Sequence, residues 1–391
     1  APLSYIDPTA VERIEVYPGV TPVSVGGDSI GGTILVESAA PVFADPGERL
    51  MQGEVGAFYR SNGDSWGGNL SGTVATENLS LNYRGAYVQA DNYRAADHFK
   101  TYTFTGRPGH TLDLDEVGST AYEANNQAVK LGWASGGHVV DLSYAYQHIP
   151  YEAYPNQRMD MTNNRSDQFN VGYSGDQSWG ALKVRAYYEQ TKHEMNFGDD
   201  KRFWYGPGRP PLGSGGDVAV NGQPCSPISG VRMVNGMMVG CAAGMPMDTE
   251  GENGGVTVSA DVFLSGSDVL RVGAEAQHYR LDDYWSPSGA GMWPYRFLNV
   301  NDGKRDRYAV FGEWEVHKDR WTNILGVRYE AVQMDAGPVH GYNLNYFPTT
   351  GTGALGNQTR DAALYNARSR SRTDDTWDAS WNLPFEPDAI Q

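Results

Sequence analysis

The side chains best suited to chemistry in this sequence are its methionines and one histidine. Of eleven methionines in 391 residues, all but Met51 fall in stretches that the strand pattern below assigns to long connections. They are Met159, Met161, Met195, Met233, Met237, Met238, Met245, Met247, Met292 and Met334. Methionine ordinarily fills gaps in apolar cores, so a set concentrated in loops is unusual. Two pairs are spaced Met-x-Met, Met159-Asp-Met161 and Met245-Pro-Met247, and His193-Glu-Met195 joins an imidazole to a thioether. Thioether sulfur is a soft ligand that favours Cu(I), and imidazole suits copper generally. The candidate metal ligands are therefore Met159, Met161, Met245, Met247, His193 and Met195. The competing explanation is that methionine-rich loops simply pack against one another.

Other chemistries find less support. There is no Ser-centred elbow, no His-Glu-x-x-His zinc motif and no phosphate loop, so an enzyme is not expected and no cofactor is required. Carboxylate pairs such as Asp282-Asp283 and Asp199-Asp200 read as solvated loop charges. A cluster of Tyr284, Trp285, Met292, Trp293 and Tyr295 either stacks on an aromatic ligand or caps the fold. The 30 basic and 47 acidic residues give a net charge of −17. Nucleic acid, which requires a basic footprint, is not an expected partner.

The elements that must position these groups are strands. From Met51 onward the chain shows short runs of period-2 alternation separated by turns. Twelve strands are predicted: Glu54–Arg60, Gly67–Ala75, Leu79–Ala90, Asn125–Ala134, His138–His148, Asp167–Ser174, Trp179–His193, Val256–Leu264, Val269–Arg280, Tyr308–His317, Trp321–Val332 and Trp377–Pro384. Connections after even-numbered strands are tiny, as at Thr76–Asn78 and Ser135–Gly137, whereas all but one of those after odd-numbered strands are long. Short turns at one end and long loops at the other are the pattern of an outer-membrane barrel. No apolar stretch approaches the ~20 residues of a transmembrane helix. The mean hydropathy of −0.52 does not exclude a membrane, because a barrel alternates polar lumen residues with lipid-facing ones. Parity agrees: Val140, Leu142, Tyr144 and Tyr146 share one face, with Asp141, Ser143 and Gln147 on the other. Likewise Leu182, Val184, Ala186 and Tyr188 oppose Lys183, Arg185, Tyr187 and Glu189. By the same parity His148 and His278 face lipid and His193 faces the lumen.

Upstream of these strands, Val11–Glu37 reads as a charged strand, a glycine-rich turn and a second strand, carrying Arg13, Glu15, Gly26, Gly27, Gly31 and Gly32. Glycines there permit close backbone approaches that a side chain would forbid. This segment resembles the closing part of the plug domain of TonB-dependent outer-membrane receptors. The resemblance implies an all-β fold, a transmembrane antiparallel barrel of 22 strands with an N-terminal plug. About twelve of those strands would lie in this chain. Residues 1–40 would be the C-terminal part of the plug, 41–50 a linker and 51–391 the first part of the barrel. Twelve strands would leave two edges unpaired in lipid, at several kcal/mol per unsatisfied group, so a longer protein is expected on both sides of Ala1 and Gln391.

The resemblance further implies location in the outer membrane of a Gram-negative bacterium, among lipid and lipopolysaccharide. It implies energy coupling by the TonB–ExbB–ExbD complex through a more N-terminal segment, and import of a scarce nutrient. Pro2–Pro8, Asn156–Met161 and Gly244–Thr249 are similar to stretches of the copper-receptor branch, which implies copper ion as the transported ligand. In that branch a Cys and a Met of a plug loop join a barrel Met; here the plug pair would lie just before Ala1. Met159 and Met161 are the first choice for the barrel contribution, with Met245 and Met247 next. The alternatives are a siderophore, another metal chelate or an organic nutrient, or a surface role as phage or colicin receptor or adhesin. In an oxidising outer-membrane setting, Cys225 and Cys241 would most simply form a disulfide. It would contribute about 3 kcal/mol and restrain Met233, Met237 and Met238; paired thiolate ligands are the other reading.

Overall fold

The computed structural model describes residues 11–26, 31–101, 103, 110–157, 159–201, 232–234, 237–239, 246–287, 294–318, 320–342, 344 and 354–384. The chain opens with a two-stranded antiparallel sheet, β1 (Val11–Pro18) against β2 (Gly32–Ser38). Gly32 sits at φ +131°, and a Cβ there would collide with the carbonyl oxygen of Tyr17 on the opposite strand. The pairing therefore requires glycine at that position. Arg13 on β1 reaches Glu37 on β2 at 3.1 Å and also contacts Glu15.

All remaining long strands join one antiparallel sheet. They are β3 (Leu50–Arg60), β4 (Ser65–Ala75), β5 (Leu79–Ala90), β6 (Tyr122–Ser135), β7 (His138–Glu152), β8 (Asp160–Gln177) and β9 (Gly180–Asn196), then β12 (Met247–Phe263), β13 (Asp268–Trp285), β14 (Phe297–Lys318), β15 (Trp321–Asp335) and β16 (Arg372–Asn382). Between them lie a small hairpin, β10 (Arg232–Val234) with β11 (Met237–Val239), and one helix, α1 (Ala354–Asn366). Every long strand pairs with its predecessor and successor, giving twelve strands in sequential up-and-down order. The sheet is not closed within this chain: β3 and β16 are its two edges. Among the described residues no helix is long and apolar enough to cross a membrane.

All twelve predicted strands are present, yet most are longer than predicted, and the extension lies at the long-loop end. The asymmetry runs across the sheet: β3 to β5 have 11 or 12 residues, whereas β8, β9, β12, β13 and β14 have 17 to 22. About 9–11 tilted residues suffice to cross a bilayer. The expectation that the methionines occupy loops is corrected for Met161, Met195, Met247 and Met334, which lie in β8, β9, β12 and β15, and for Met233, Met237 and Met238, which lie in the small β10–β11 hairpin. Sheet β3 begins at Leu50, inside the predicted linker, and α1 was not expected within 333–376. Gly27, Cys225, Cys241, Met245, Met292 and Trp293 lie outside the described residues.

The two faces of the sheet differ in kind. One carries exposed Leu70, Val74, Leu131, Phe169, Val310 and Val327, with Trp377 and Trp381 on the edge strand 71% and 68% exposed. So large an apolar surface demands an apolar surrounding or partner. The opposite, inner face receives the N-terminal segment: Val23 is buried against Gly326, and Lys130 Nζ donates to Ser38 Oγ (3.2 Å) and to the carbonyl of Ala39. His148 and His278 pair with Arg165 and Asp306 on the outer face, as parity predicted.

Candidate functional site

Strand register assembles what the sequence leaves scattered. Met161 on β8 stands opposite Met195 on β9, and Met195 stands opposite Met247 on β12. The same row continues through Trp285 on β13 to Phe297 on β14. Residues directly opposite across strands have Cβ atoms about 4.5–5.5 Å apart, so the three thioethers are immediate neighbours. They share the inner face, because Met195 and Met247 have the parity of Glu189 and Thr249. Met161 joins them through a bulge: pairing shifts between Met161 and Asn163, so Thr162 is the extra residue. Without the shift, Thr162 would stand opposite Met195 and Met161 would turn to the outer face. Instead Met161 is fully buried.

His193 lies one inner-face row below, between Asn164 and Thr249. Its Nδ1 is 3.2 Å from Asn164 Oδ1. With Nδ1 as the donor of this contact, Nε2 is the nitrogen that carries the ring's lone pair. Burial lowers the His193 pKa below its ordinary value, which keeps the ring neutral and ligand-competent at neutral pH. Asn164 is itself 1% exposed. The sequence gives no signal for Asn164; only register reveals it. Of the six predicted ligands, the fold brings together Met161, Met195, Met247 and His193. Met159 sits just outside β8 and outside the row, and Met245 is not described. Among the described residues, no group of three or more His, Cys, Asp and Glu is placed to hold a metal.

Above the row, loop segments are tied by buried Asp160 and partly buried Asp200. Lys201 Nζ meets Asp160 Oδ1 at 3.0 Å and donates to the carbonyls of Tyr154 (2.6 Å) and Gln157 (3.0 Å). Asp200 accepts from the Ser119 N–H (2.6 Å) and Asn92 Nδ2 (2.8 Å), and His110 Nε2 lies 2.6 Å away. Burial opposes ionisation of Asp200, but these donors outweigh it and hold its pKa below the usual carboxylate value. Asp199-Asp200 is therefore not simply a solvated pair.

Toward the short-turn end the inner face is ionic. Arg328, fully buried, donates to Glu275 (2.8 Å) and Glu330 (3.2 Å), and Arg307 pairs with Glu330 at 2.8 Å. Arg271 bridges Glu313 (3.3 Å) and Glu315. The N-terminal segment docks on this lattice: Ser24 Oγ donates to Glu313 (2.8 Å), and Arg328 Nη1 donates to the Val23 carbonyl (3.4 Å). Gly326 admits Val23, since a Cβ there would strike its side chain.

A sequential antiparallel sheet with one apolar and one ionic face, and an N-terminal hairpin against the ionic one, defines a class of barrel. Residues 113–386 match the family model described as TonB dependent receptor-like, beta-barrel, and the chain belongs to that family. Among solved structures it is similar to the copper transporter OprC, at 15% identity and a TM-score of 0.65, over 100% of this chain and 50% of that one. It is also similar to the F3-3 variant of the FrpB iron transporter from Neisseria meningitidis (12% identity, TM-score 0.58, 98% of this chain and 51% of that one). A double mutant of the Serratia marcescens hemophore receptor HasR, in complex with its hemophore HasA and heme, gives 13% identity and a TM-score of 0.57 over 98% of this chain and 50% of that one. At such identities the likeness shows the fold alone. The chain spans about half the length of these structures. A comparison with curated proteins finds no match.

Proposed function

We propose that this chain is part of an outer-membrane receptor that imports copper, captured as Cu(I) by Met161, Met195 and Met247 with His193. The observation that carries the reading is the register row, which sets three soft sulfur donors side by side on the inner face with a neutral imidazole one row away. Three thioethers and an imidazole suit Cu(I) and leave harder cations without their preferred oxygen ligands. The likeness to OprC, named a copper transporter, supports the same direction. The site lies at the long-loop end, beyond the roughly ten residues of β9 and β12 that a bilayer requires, where a ligand arriving from outside would first meet the barrel.

The N-terminal hairpin, Val11–Ser38, then belongs to the closing part of the plug, and the barrel wall begins with β3 at Leu50. The apolar outer face contacts lipid and lipopolysaccharide. Release of the ligand inward requires the plug to move, driven by the TonB–ExbB–ExbD complex. Segment 22–25 rests on the ionic lattice through two neutral groups, the Ser24 hydroxyl on the Glu313 carboxylate and the Val23 carbonyl under the Arg328 guanidinium, so its departure there breaks charge-assisted hydrogen bonds but no ion pair.

The test is a Cu(I) competition titration of the full-length receptor against a triple Met161→Leu, Met195→Leu, Met247→Leu variant. Leucine preserves volume, so fold and expression should survive. Removal of the thioethers should weaken Cu(I) binding by at least about 100-fold, given that even residues behind the ligands are worth about 10–100-fold. Equal affinity in both proteins would end the copper reading.

A further inference from the structure

The methionine row continues into a second group of side chains that the thioether site does not use. Trp285 follows Met247 in the row, and its ring stacks on Phe297 at 5.3 Å; Phe297 in turn meets Tyr342 at 5.5 Å. Two residues before Trp285, on the same face, lies Asp283, 9% exposed. Its Oδ2 accepts from Thr249 Oγ1 at 2.9 Å, but its Oδ1 has no partner among the described residues. Trp285 Nε1 and the Tyr342 hydroxyl are likewise buried without partners, and Tyr342 is 1% exposed. Buried polar groups are normally satisfied, and each exception calls for an explanation; other described atoms, Asn164 Nδ2 among them, share that status. Here one anionic acceptor and two neutral donors are orphaned together, around an aromatic wall, beside the proposed metal ligands.

Their chemistry is complementary to one kind of molecule. A carboxylate oxygen in a low-polarity site calls for a cationic N–H donor. An indole N–H and a phenol O–H call for an anionic or carbonyl acceptor. Asp283 and Trp285 are two residues apart on one strand, about 6.5–7 Å, which matches the reach of a small zwitterion hydrogen-bonded at both ends. Resting on the copper reading above, we infer that Asp283, Trp285 and Tyr342 form a subsite for the ammonium and carboxylate of an amino-acid or short-peptide carrier, whose own donors present the metal to the methionine row. The ammonium donates to Asp283 Oδ1. The carboxylate accepts from Trp285 Nε1 and Tyr342 O–H, and Phe297 walls the apolar part.

The experiment uses the full-length receptor with histidylhistidine, a dipeptide with two free termini and two imidazoles, titrated calorimetrically with and without equimolar Cu(I). Cu(I) alone is titrated in parallel. The Cu(I)-loaded dipeptide should bind at least about tenfold more tightly than its N-acetylated, C-amidated counterpart, the effect expected for losing charge-assisted hydrogen bonds. Asp283→Asn and Tyr342→Phe should each remove most of that difference. Tyr342→Phe deletes a hydroxyl that has no partner in the empty protein, so its ligand-free melting temperature should hold or rise. A purely structural tyrosine would instead lower it. Equal binding of free and capped dipeptides, or free-dipeptide affinity untouched by both variants, overturns the subsite. If Cu(I) alone fails to bind while the free-terminus preference persists, the subsite stands and the copper reading falls. Bound waters satisfying the three groups would show as no dipeptide binding at all, which also overturns it.

Discussion

The inner face holds two polar regions built on the same strands, separated by about 30 Å of chain along β12, and they obey opposite rules. In the lower one, Arg271, Arg307 and Arg328 meet Glu275, Glu313, Glu315 and Glu330, and each charge has an opposite charge within 3.3 Å. In the upper one, three thioethers lie in register beside a neutral histidine, and Asp283, Trp285 and Tyr342 each present an atom with no partner. Charges buried deeply must neutralise one another where they stand, because an unpaired ion away from water is strongly unfavourable. A lattice so matched is a floor on which another segment can rest. The upper region holds mainly neutral groups, whose lack of a partner costs less than that of a buried ion; its one charge, Asp283, accepts from Thr249 Oγ1. On the function proposed above, the difference separates structure from ligand capture within one sheet.

Variants should respond accordingly. The largest effect is expected for Arg328→Met, which removes a fully buried guanidinium and leaves Glu275 and Glu330 with Arg307 as their remaining cation; breaking a buried pair destabilises by about 3–5 kcal/mol. Thermal unfolding of the folded receptor would read this as a marked fall in midpoint, and an unchanged midpoint would deny the lattice its structural role. Next is Met195→Leu, the central member of the row. It faces both other sulfurs, so it should weaken Cu(I) binding more than Met161→Leu or Met247→Leu, by roughly 10-fold or more. Equal losses at all three would mean that the metal does not sit where the register places it.

A moderate effect should appear with pH. Burial holds the His193 pKa below its usual value of about 6.5, so protons compete for the ring only at lower pH. Cu(I) affinity should stay level from pH 7.5 to about 6.5, then decline, and His193→Ala should flatten the profile. The sign for stability is the same. With a depressed folded pKa, the His193 contribution is present above its unfolded pKa and is lost as pH falls through the folded one. Asp200 should give the smallest and most local effect. Its depressed pKa stabilises the outer loops above the unfolded carboxylate value of about 3.9 and ceases to do so as pH falls through the folded value. Asp200→Asn should raise hydrogen exchange in residues 110–121 at neutral pH while leaving the sheet protected.

The sequence by itself determined the strand plan. Alternation in stretches such as Val140–Gln147 and Leu182–Glu189 holds wherever one face meets an apolar surrounding and the other does not, so all twelve strands were legible there. Short turns such as Thr76–Asn78 ordered the ends, and Val11–Glu37 marked the hairpin. The alternation fades where strands rise past the apolar belt, since both faces can then be polar. Residues Asp160–Ser166 and Met247–Gly255 accordingly looked like loops, although they are paired strand. His193 and the methionines were visible as residue types, not as a site. Tertiary structure decided that Met161, Met195 and Met247 share a row. That outcome depends on a one-residue bulge at Thr162 and on which β9 and β12 residues oppose each other. It also decided that Asn164 stands against His193 Nδ1 and that three unpartnered polar atoms lie on Asp283, Trp285 and Tyr342. Register is a property of paired strands, set by contacts hundreds of ångströms of chain apart, and no local pattern encodes it.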